Sequence, residues 1–202
     1  MQFQTSDLSA LDNYRLLVGG VTPRPIAWIS TQSSEGVNNL APYSFFSVAS
    51  CNPPVLMFTQ LQPKEGGNKD TLNNLLATNE CVINVVNADS AEVMNQTCAA
   101  LPSTQSEFEF AGVSACASVS VKPLSVADAP VRYECRLREV LNLSSMPAGG
   151  TVVLLDVLSI YVRDDLLNEE GAIKQGMLGS VGKMGGDWYA KTTDLFELKR
   201  PQ

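Results

Sequence analysis

Two short segments of this 202-residue chain concentrate side chains that commonly contact small ligands. In residues 24–31 an apolar strand pattern ends in the hydroxyl groups of Ser30 and Thr31. In residues 39–46 an amide, a proline and a cluster of hydroxyl and aromatic side chains follow one another. Hydrogen-bonding groups beside a flat apolar wall are typical of sites for planar ligands with polar edges. The two segments therefore predict a binding site for a planar molecule.

A third segment, Asn-Lys-Asp-Thr at residues 68–71, predicts where an anionic group of such a ligand would bind. It begins a helical apolar pattern over residues 71–77, with Asp70 as the expected N-cap. The first amides of a helix lack intrahelical partners, and the helix dipole favours negative charge there. Together with the Lys69 ammonium and the Thr71 hydroxyl, this helix start predicts an anion site.

Each segment also has an ordinary structural explanation. Residues 24–31 could form a plain strand with Trp28 in the core, because large aromatic side chains are buried more often than they bind cofactors. Asp70 could be a simple helix cap beside a solvated lysine. Residues 39–46 fit this explanation least, because Pro42 and the bulky residues after it interrupt the alternation of a plain strand.

The composition argues against several classes of partner. The formal net charge of −7 disfavours nucleic acid and anionic membranes, since both bind through lysine and arginine. No stretch approaches the ~18–20 apolar residues of a membrane span, and the N-terminus lacks the pattern of a signal peptide. The five cysteines are widely spaced and include no Cys-x-x-Cys pair, as in reduced proteins. We therefore expect a cytoplasmic protein with no nucleic-acid or membrane partner.

The chain contains no histidine. Ser-His and Cys-His dyads are therefore excluded, as are histidine-rich zinc and iron sites. If the protein is an enzyme, other residues or a cofactor must carry its chemistry.

Strand patterns dominate the rest of the chain. Two helices are expected, one beginning near Asp70 and one running from about Asp89 to Ala100. Strands outnumber helices without regular alternation, and neither Gly-x-Gly-x-x-Gly nor a Walker loop is present. The sequence therefore predicts one mainly β domain over residues 1–202, an antiparallel barrel with a few surface helices. The expected strands cover residues 27–30, 55–59, 81–86, 117–121, 131–141 and 151–162.

The three segments, in this order and spacing, resemble the flavin reductase-like family, which includes flavoredoxin. This resemblance covers nearly the whole chain and implies an FMN-binding split β-barrel. It also implies a homodimer with the flavin at or near the subunit interface. The motifs are Arg-Pro-Ile-Ala-Trp-Ile-Ser-Thr at 24–31, Asn-Leu-Ala-Pro-Tyr-Ser-Phe-Phe at 39–46, Asn-Pro-Pro at 52–54, Lys-Asp-Thr at 69–71, and the C-terminal stretches 182–189 and 196–201.

The same resemblance implies which residues contact the flavin, and it suggests Trp28, Trp188 and Tyr189 as interface aromatics. Arg24 is expected to reach the phosphate or a dimer partner. By matching position, Trp28, Ser30 and Thr31 lie near the ring and ribityl chain, Asn39, Ala41, Pro42, Tyr43, Ser44 and Phe45 form the second contacting segment, and Lys69, Asp70 and Thr71 lie near the phosphate.

One position departs from the family pattern. Many relatives carry a histidine in the strand that here contains Tyr161. Where that histidine assists nicotinamide or substrate binding, its loss weakens the expectation of reductase activity.

The resemblance implies an oxidoreductase that passes hydride from NADH or NADPH to FMN, a reaction that needs no proton donor from the protein. Backbone groups of Ser30, Thr31 or Ser44 would stabilise the reduced flavin. Reduced FMN would then serve a partner oxygenase or another redox protein. Two alternatives stay open, a non-catalytic flavoredoxin-like carrier with tightly bound FMN and a barrel that binds no flavin.

Overall fold

The computed structural model describes residues 1–201 and confirms the mainly β prediction. Its helices are α1 (Ala10–Gly20), α2 (Asp70–Thr78), α3 (Ala91–Gln96), α4 (Glu107–Phe110) and α5 (Gln175–Leu178), with 3-10 turns at Thr5–Asp7 and Asp164–Leu166. Its strands are β1 (Arg24–Pro25), β2 (Ala27–Gln32), β3 (Asn38–Tyr43), β4 (Phe46–Cys51), β5 (Pro54–Leu61), β6 (Glu80–Val85), β7 (Ala115–Cys116), β8 (Ser125–Val126), β9 (Val131–Asn142), β10 (Gly150–Val162), β11 (Val181–Lys183) and β12 (Tyr189–Lys191).

Seven antiparallel strands surround one apolar interior in the order β3-β2-β6-β9-β10-β5-β4. Alternate residues of a strand point to the same face, so Ile29, Phe58, Ile83 and Leu155 meet in one buried cluster. The edge strands β3 and β4 are not paired with each other. They are joined only through the corner at residues 44–45, so the barrel is open along this side.

Helix α2 packs into the barrel interior. Leu72 and Leu75 are buried in the same cluster as the strand residues, whereas Leu76 faces outward. The helix begins where the sequence predicts, but the prediction that Asp70 is the N-cap is wrong. Lys69 has the extended backbone of an N-cap and Asp70 is the first helical residue.

Helix α1 is absent from the sequence prediction although its N-terminus carries a usable signal. The Ser9 hydroxyl accepts a hydrogen bond from the Asp12 amide at 3.1 Å and donates to the Asp12 carboxylate at 2.6 Å. The Ser-x-x-Asp spacing matches the sequence pattern of a capping box, which marks helix starts, and Ser9 caps the helix through its hydroxyl.

The predicted strand at residues 117–121 is wrong. The amides of Val119 and Ser120 both donate to the carboxylate of Glu134 on β9, so this backbone is not available for strand pairing. The second predicted helix is also shorter than expected and ends at Gln96. There the Thr97 hydroxyl donates to the Met94 carbonyl at 2.7 Å. The backbone amides of residues 97–99 bond to the carbonyls three positions back, as in a 3-10 turn, rather than four positions back as in an α-helix.

A second apolar cluster lies outside the barrel, under α3 and α4. It contains Trp28, Leu40, Met94 and Phe108. Within residues 1–201, no helix combines the length and the apolar character needed to cross a lipid bilayer.

Candidate functional site

A cavity of about 610 Å³ opens between β3 and the N-terminus of α2. Its volume lies in the range of small-molecule and cofactor sites. The structure thus brings the second and third predicted segments together. The predicted residues that line this cavity are Asn39, Ala41, Pro42, Tyr43, Lys69, Asp70 and Thr71.

The N-terminus of α2 offers unsatisfied donors to this cavity. No side chain caps it, and the amides of Asp70 and Thr71 make no backbone hydrogen bonds within residues 1–201. The Lys69 ammonium lies beside them, 5.7 Å from the centroid of the Tyr43 ring. Free amides, a helix dipole and a nearby ammonium together favour an anion.

The opposite charge is also present in the lining. Glu65, Asp70 and Glu107 contribute carboxyl groups. Cys98 lies in the same lining, and burial raises the pKa of its thiol, although the ammonium groups of Lys69 and Lys183 lower that pKa in part. The cationic part of this lining is therefore confined to Lys69 and the start of α2, where an anionic group would bind.

A buried polar network fixes β3 against α2. The side-chain oxygen of Asn39 accepts from the Thr71 hydroxyl at 2.9 Å and from the Thr31 hydroxyl at 3.3 Å. The amide nitrogen of Asn74, on the same helix, donates to the Thr31 hydroxyl at 3.1 Å. These bonds join β2, β3 and α2, and they account for the burial of Thr31, Asn39 and Thr71.

The sequence prediction missed two residues of this network, Asn74 and Glu107. The Oε2 atom of Glu107 accepts from the Asn39 side-chain amide and from the Leu40 backbone amide, both at 2.9 Å. Burial raises the pKa of this carboxyl, and the hydrogen bonds from Leu40 and Asn39 offset part of that rise. The Ser-Glu-Phe-Glu-Phe context at 106–110 carries no signal of this role, because a glutamate there is normally solvated.

Tyr43 presents an unpartnered buried hydroxyl at this site. The side chain is 6% exposed, its ring packs against Phe58 with centroids 4.9 Å apart, and it lines the cavity. Within residues 1–201 its hydroxyl completes no hydrogen bond of good geometry, although the Thr71 side chain lies close enough to offset part of the pKa rise that burial causes. Burial, which disfavours the phenolate, raises the pKa of Tyr43 to about 12. Such a group is uncommon in folded proteins and marks a place where a ligand or water would bind.

Three other predicted residues lie in an adjoining groove of about 410 Å³. Ser44 and Phe45 form the corner between β3 and β4, and Arg24 lies beside them. The guanidinium of Arg24 donates to the carbonyls of Val18, Val21 and Met184 at 2.6, 2.8 and 3.0 Å. Arg24 therefore holds the end of α1 and the segment that follows β11 against the corner. Contact of these three residues with a ligand remains a prediction.

Trp28 and Ser30 lie behind the cavity wall. Trp28 is 1% exposed and its indole nitrogen donates to the Thr97 hydroxyl at 2.9 Å, whereas Ser30 donates to the Leu124 carbonyl. The suggestion that Trp28 is an interface aromatic is wrong, because the ring is enclosed within its own chain. Its contact with a ligand stays a prediction, as does that of Ser30.

Tyr161 lies away from the cavity between β3 and α2. It lines a different hollow of about 440 Å³, together with Trp28 and Arg163. The guanidinium of Arg132 stacks on its ring at 3.7 Å. Within one chain, therefore, Tyr161, at the position where the family resemblance leads us to expect a histidine, does not face the cavity that holds the predicted phosphate segment.

Comparison with known proteins gives the family and the fold of this chain. The family model described as a flavin reductase like domain matches residues 19–180. The structure of nitrilotriacetate monooxygenase component B from Bacillus cereus is 31% identical, with a TM-score of 0.92 and 98% of each chain covered. That of 2-nitrobenzoate 2-nitroreductase from Pseudomonas fluorescens is 30% identical, with a TM-score of 0.90, covering 100% of this chain and 96% of that one.

A third structure identifies the barrel type. It comes from Shewanella frigidimarina, is described as having a split barrel domain, and has a TM-score of 0.85 over 100% of both chains at 24% identity. The predicted split β-barrel is thereby confirmed, and its open side is the corner between β3 and β4.

The unpartnered Tyr43 hydroxyl generates a stability prediction for the ligand-free protein. We expect Tyr43→Phe to change the free energy of unfolding near pH 7 by no more than about 1 kcal/mol, because the hydroxyl has no partner to lose. Above the ordinary tyrosine pKa of 10.0 the unfolded chain ionises first, so wild type should lose stability relative to the variant up to about pH 12.

Urea unfolding across this pH range measures both effects. Tyr14→Phe, at a half-exposed tyrosine of α1, is the control and should follow wild type throughout. A loss well above 1 kcal/mol near neutral pH in Tyr43→Phe would show that the hydroxyl has a partner within the chain.

Proposed function

We propose that this chain, which belongs to the flavin reductase-like family, is an FMN-dependent oxidoreductase that takes hydride from NADH or NADPH. Family membership supports the reaction class. The observation that carries the choice of FMN is the uncapped start of α2 in a cavity walled by Pro42 and Tyr43.

The cavity residues fit FMN in three respects. The amides of Asp70 and Thr71 and the Lys69 ammonium would hold one terminal phosphate. Pro42 and the ring of Tyr43 form an apolar wall suited to a planar ring system. The Tyr43 hydroxyl would gain the hydrogen-bond partner that it lacks within the chain.

When bound, the flavin would supply the redox chemistry by accepting hydride from the nicotinamide. The chain would contribute binding and orientation rather than proton transfer. It has no histidine, and the pKa of about 12 keeps Tyr43 protonated at neutral pH. Glu107 is engaged with Asn39 and Leu40. Positioning two reactants for direct transfer accounts for catalysis of this kind.

The electrons would go to a separate acceptor. The Bacillus cereus relative is component B of a monooxygenase, which supports a partner oxygenase for this chain as well. The Pseudomonas fluorescens relative is a nitroreductase, which supports an oxidoreductase that acts on its substrate directly. A flavoredoxin-like carrier, which holds FMN without oxidising nicotinamide, is the alternative to both.

The cysteines support a cytoplasmic location. All five are free, including Cys81 and Cys135, which are buried opposite each other on β6 and β9. Hydrogen bonding with Cys135 and burial raise the pKa of Cys81, so this thiol stays protonated. Persistent free thiols suit a reducing compartment, where NADH and NADPH would be the donors.

Phosphate recognition can be tested by comparing FMN with riboflavin, which lacks the phosphate. We expect Lys69→Ala to weaken FMN binding about ten- to a hundredfold, the range of a lost charge-assisted hydrogen bond. Riboflavin affinity should stay unchanged. Fluorescence quenching titration measures both, and Lys64→Ala, at an exposed lysine outside the cavity lining, is the matched control. Equal weakening of both ligands would contradict a phosphate site at Lys69.

The reaction itself is tested by following NADH and NADPH oxidation with added FMN. We expect turnover well above the rate for free FMN without protein, with a preference for one of the two nicotinamides. Tight FMN binding without turnover would favour the carrier, and no FMN binding would reject the proposal.

We also propose a homodimer. Leu158 and Ile160 are exposed apolar residues close together on β10, at 43% and 57%, and exposed apolar surface of this kind marks interfaces. Ile160→Glu should shift the dimer towards monomer in sedimentation equilibrium, because a buried unpaired carboxylate disfavours association. The exposed Glu139→Gln, elsewhere on the paired strand, should leave the association unchanged. A monomeric wild type would contradict the dimer.

A further inference from the structure

We propose that Glu107 is the positioning residue of the flavin site, since it orients the Asn39 amide and thereby turns an acceptor atom of Thr71 towards the cavity. This inference rests on the proposed function, because the ligand it concerns is FMN. Glu107 acts through Asn39 and Thr71, and its role is distinct from phosphate binding at Lys69.

Glu107 determines the orientation of the Asn39 side-chain amide. One oxygen of Glu107 accepts both the Leu40 backbone amide and the Asn39 side-chain nitrogen at 2.9 Å. A carboxylate can only accept, so Asn39 must direct its NH₂ group to Glu107. The Asn39 oxygen is then directed to Thr71 and Thr31.

The orientation of Asn39 in turn determines the role of the Thr71 hydroxyl. A threonine hydroxyl has one proton, and Thr71 donates it to the Asn39 oxygen at 2.9 Å. Towards the cavity, Thr71 can therefore only accept a hydrogen bond. Phosphate at neutral pH offers mainly acceptors, whereas the hydroxyls of a ribityl chain offer donors. Thr71 is thus suited to accept from a ribityl hydroxyl beside the neighbouring Tyr43 hydroxyl, and its backbone amide, which makes no backbone hydrogen bond within residues 1–201, stays available to the phosphate.

The hydrogen bonds of Glu107 are buried within the chain. Glu107 is 6% exposed and lines the cavity together with Asn39 and Thr71. Loss of the Glu107 acceptor would leave the Asn39 NH₂ group and the Leu40 amide without their partner within the chain. The Asn39 amide would then be free to rotate, and Thr71 would lose its fixed orientation.

Three variants and two ligands test this role. Glu107→Leu removes the acceptor and should weaken FMN and riboflavin to the same extent, about tenfold or more. Glu107→Gln restores an acceptor oxygen of the same reach and should bind both flavins within about threefold of wild type. Glu109→Gln, at an exposed carboxylate two residues along α4, should match wild type.

The outcomes separate this inference from the proposed function. If wild type binds neither flavin, the proposed function fails. If wild type binds FMN and Glu107→Leu binds it equally well, or if Glu107→Gln fails as Glu107→Leu does, the positioning role is overturned. Weakening of FMN alone would show that Glu107 acts on the phosphate end instead.

Thr71→Val supplies the test if Glu107→Leu does not fold, as judged by circular dichroism. It keeps the side-chain shape, and we expect equal weakening of FMN and riboflavin. Weakening confined to FMN would overturn the assignment of Thr71 to the ribityl chain.

Discussion

The packing of α2 into the barrel determines where the candidate site lies. Leu72 and Leu75 are buried among the residues of β2, β5, β6 and β10, so the helix cannot shift along its axis without exposing apolar surface. This anchoring fixes the uncapped helix start beside β3. The free amides and Lys69 then face the same cavity as Pro42 and Tyr43 because the apolar contacts on the other side of the helix hold them there.

The buried polar network adds specific hydrogen bonds to the apolar packing of α2. Asn39 joins β3 to α2, and Glu107 joins the same asparagine to the segment that covers the cavity. Partly satisfied buried networks are costly, so this arrangement is specific: each hydroxyl and amide has a defined donor or acceptor role. Only Tyr43 in the cavity lining and Gln60 in the barrel wall keep buried side-chain polar atoms without partners among residues 1–201.

Local sequence patterns were sufficient for much of the fold. The alternation of β9 and β10 and the apolar spacing of α2 each reflect one interior face, which a single chain segment reveals. The strand predicted at residues 117–121 failed because its amides bond to Glu134, a partner distant in sequence. Helix α1 was missed although its Ser9–Asp12 capping box was readable.

In the candidate site, too, the residues in local motifs could be predicted, whereas those defined by contacts between distant segments could not. The residues of β3 and α2 lie together as the family resemblance implied, whereas Trp28 and Ser30 proved to be fully buried behind the wall. Glu107 could not be found from sequence, because its role arises only from contacts with Asn39 and Leu40. Likewise, the Arg24 donors are directed to carbonyls of Val18 in α1 and of Met184 after β11, which no local pattern indicates.

In the proposed complex, FMN occupies the cavity between β3 and α2 with its phosphate at the helix start. A crystal structure of the protein grown with FMN tests this most directly. We expect phosphate density within hydrogen-bond distance of the Asp70 and Thr71 amides, with the ring system along Pro42 and Tyr43. Density for FMN elsewhere, with the start of α2 free of phosphate, would contradict it.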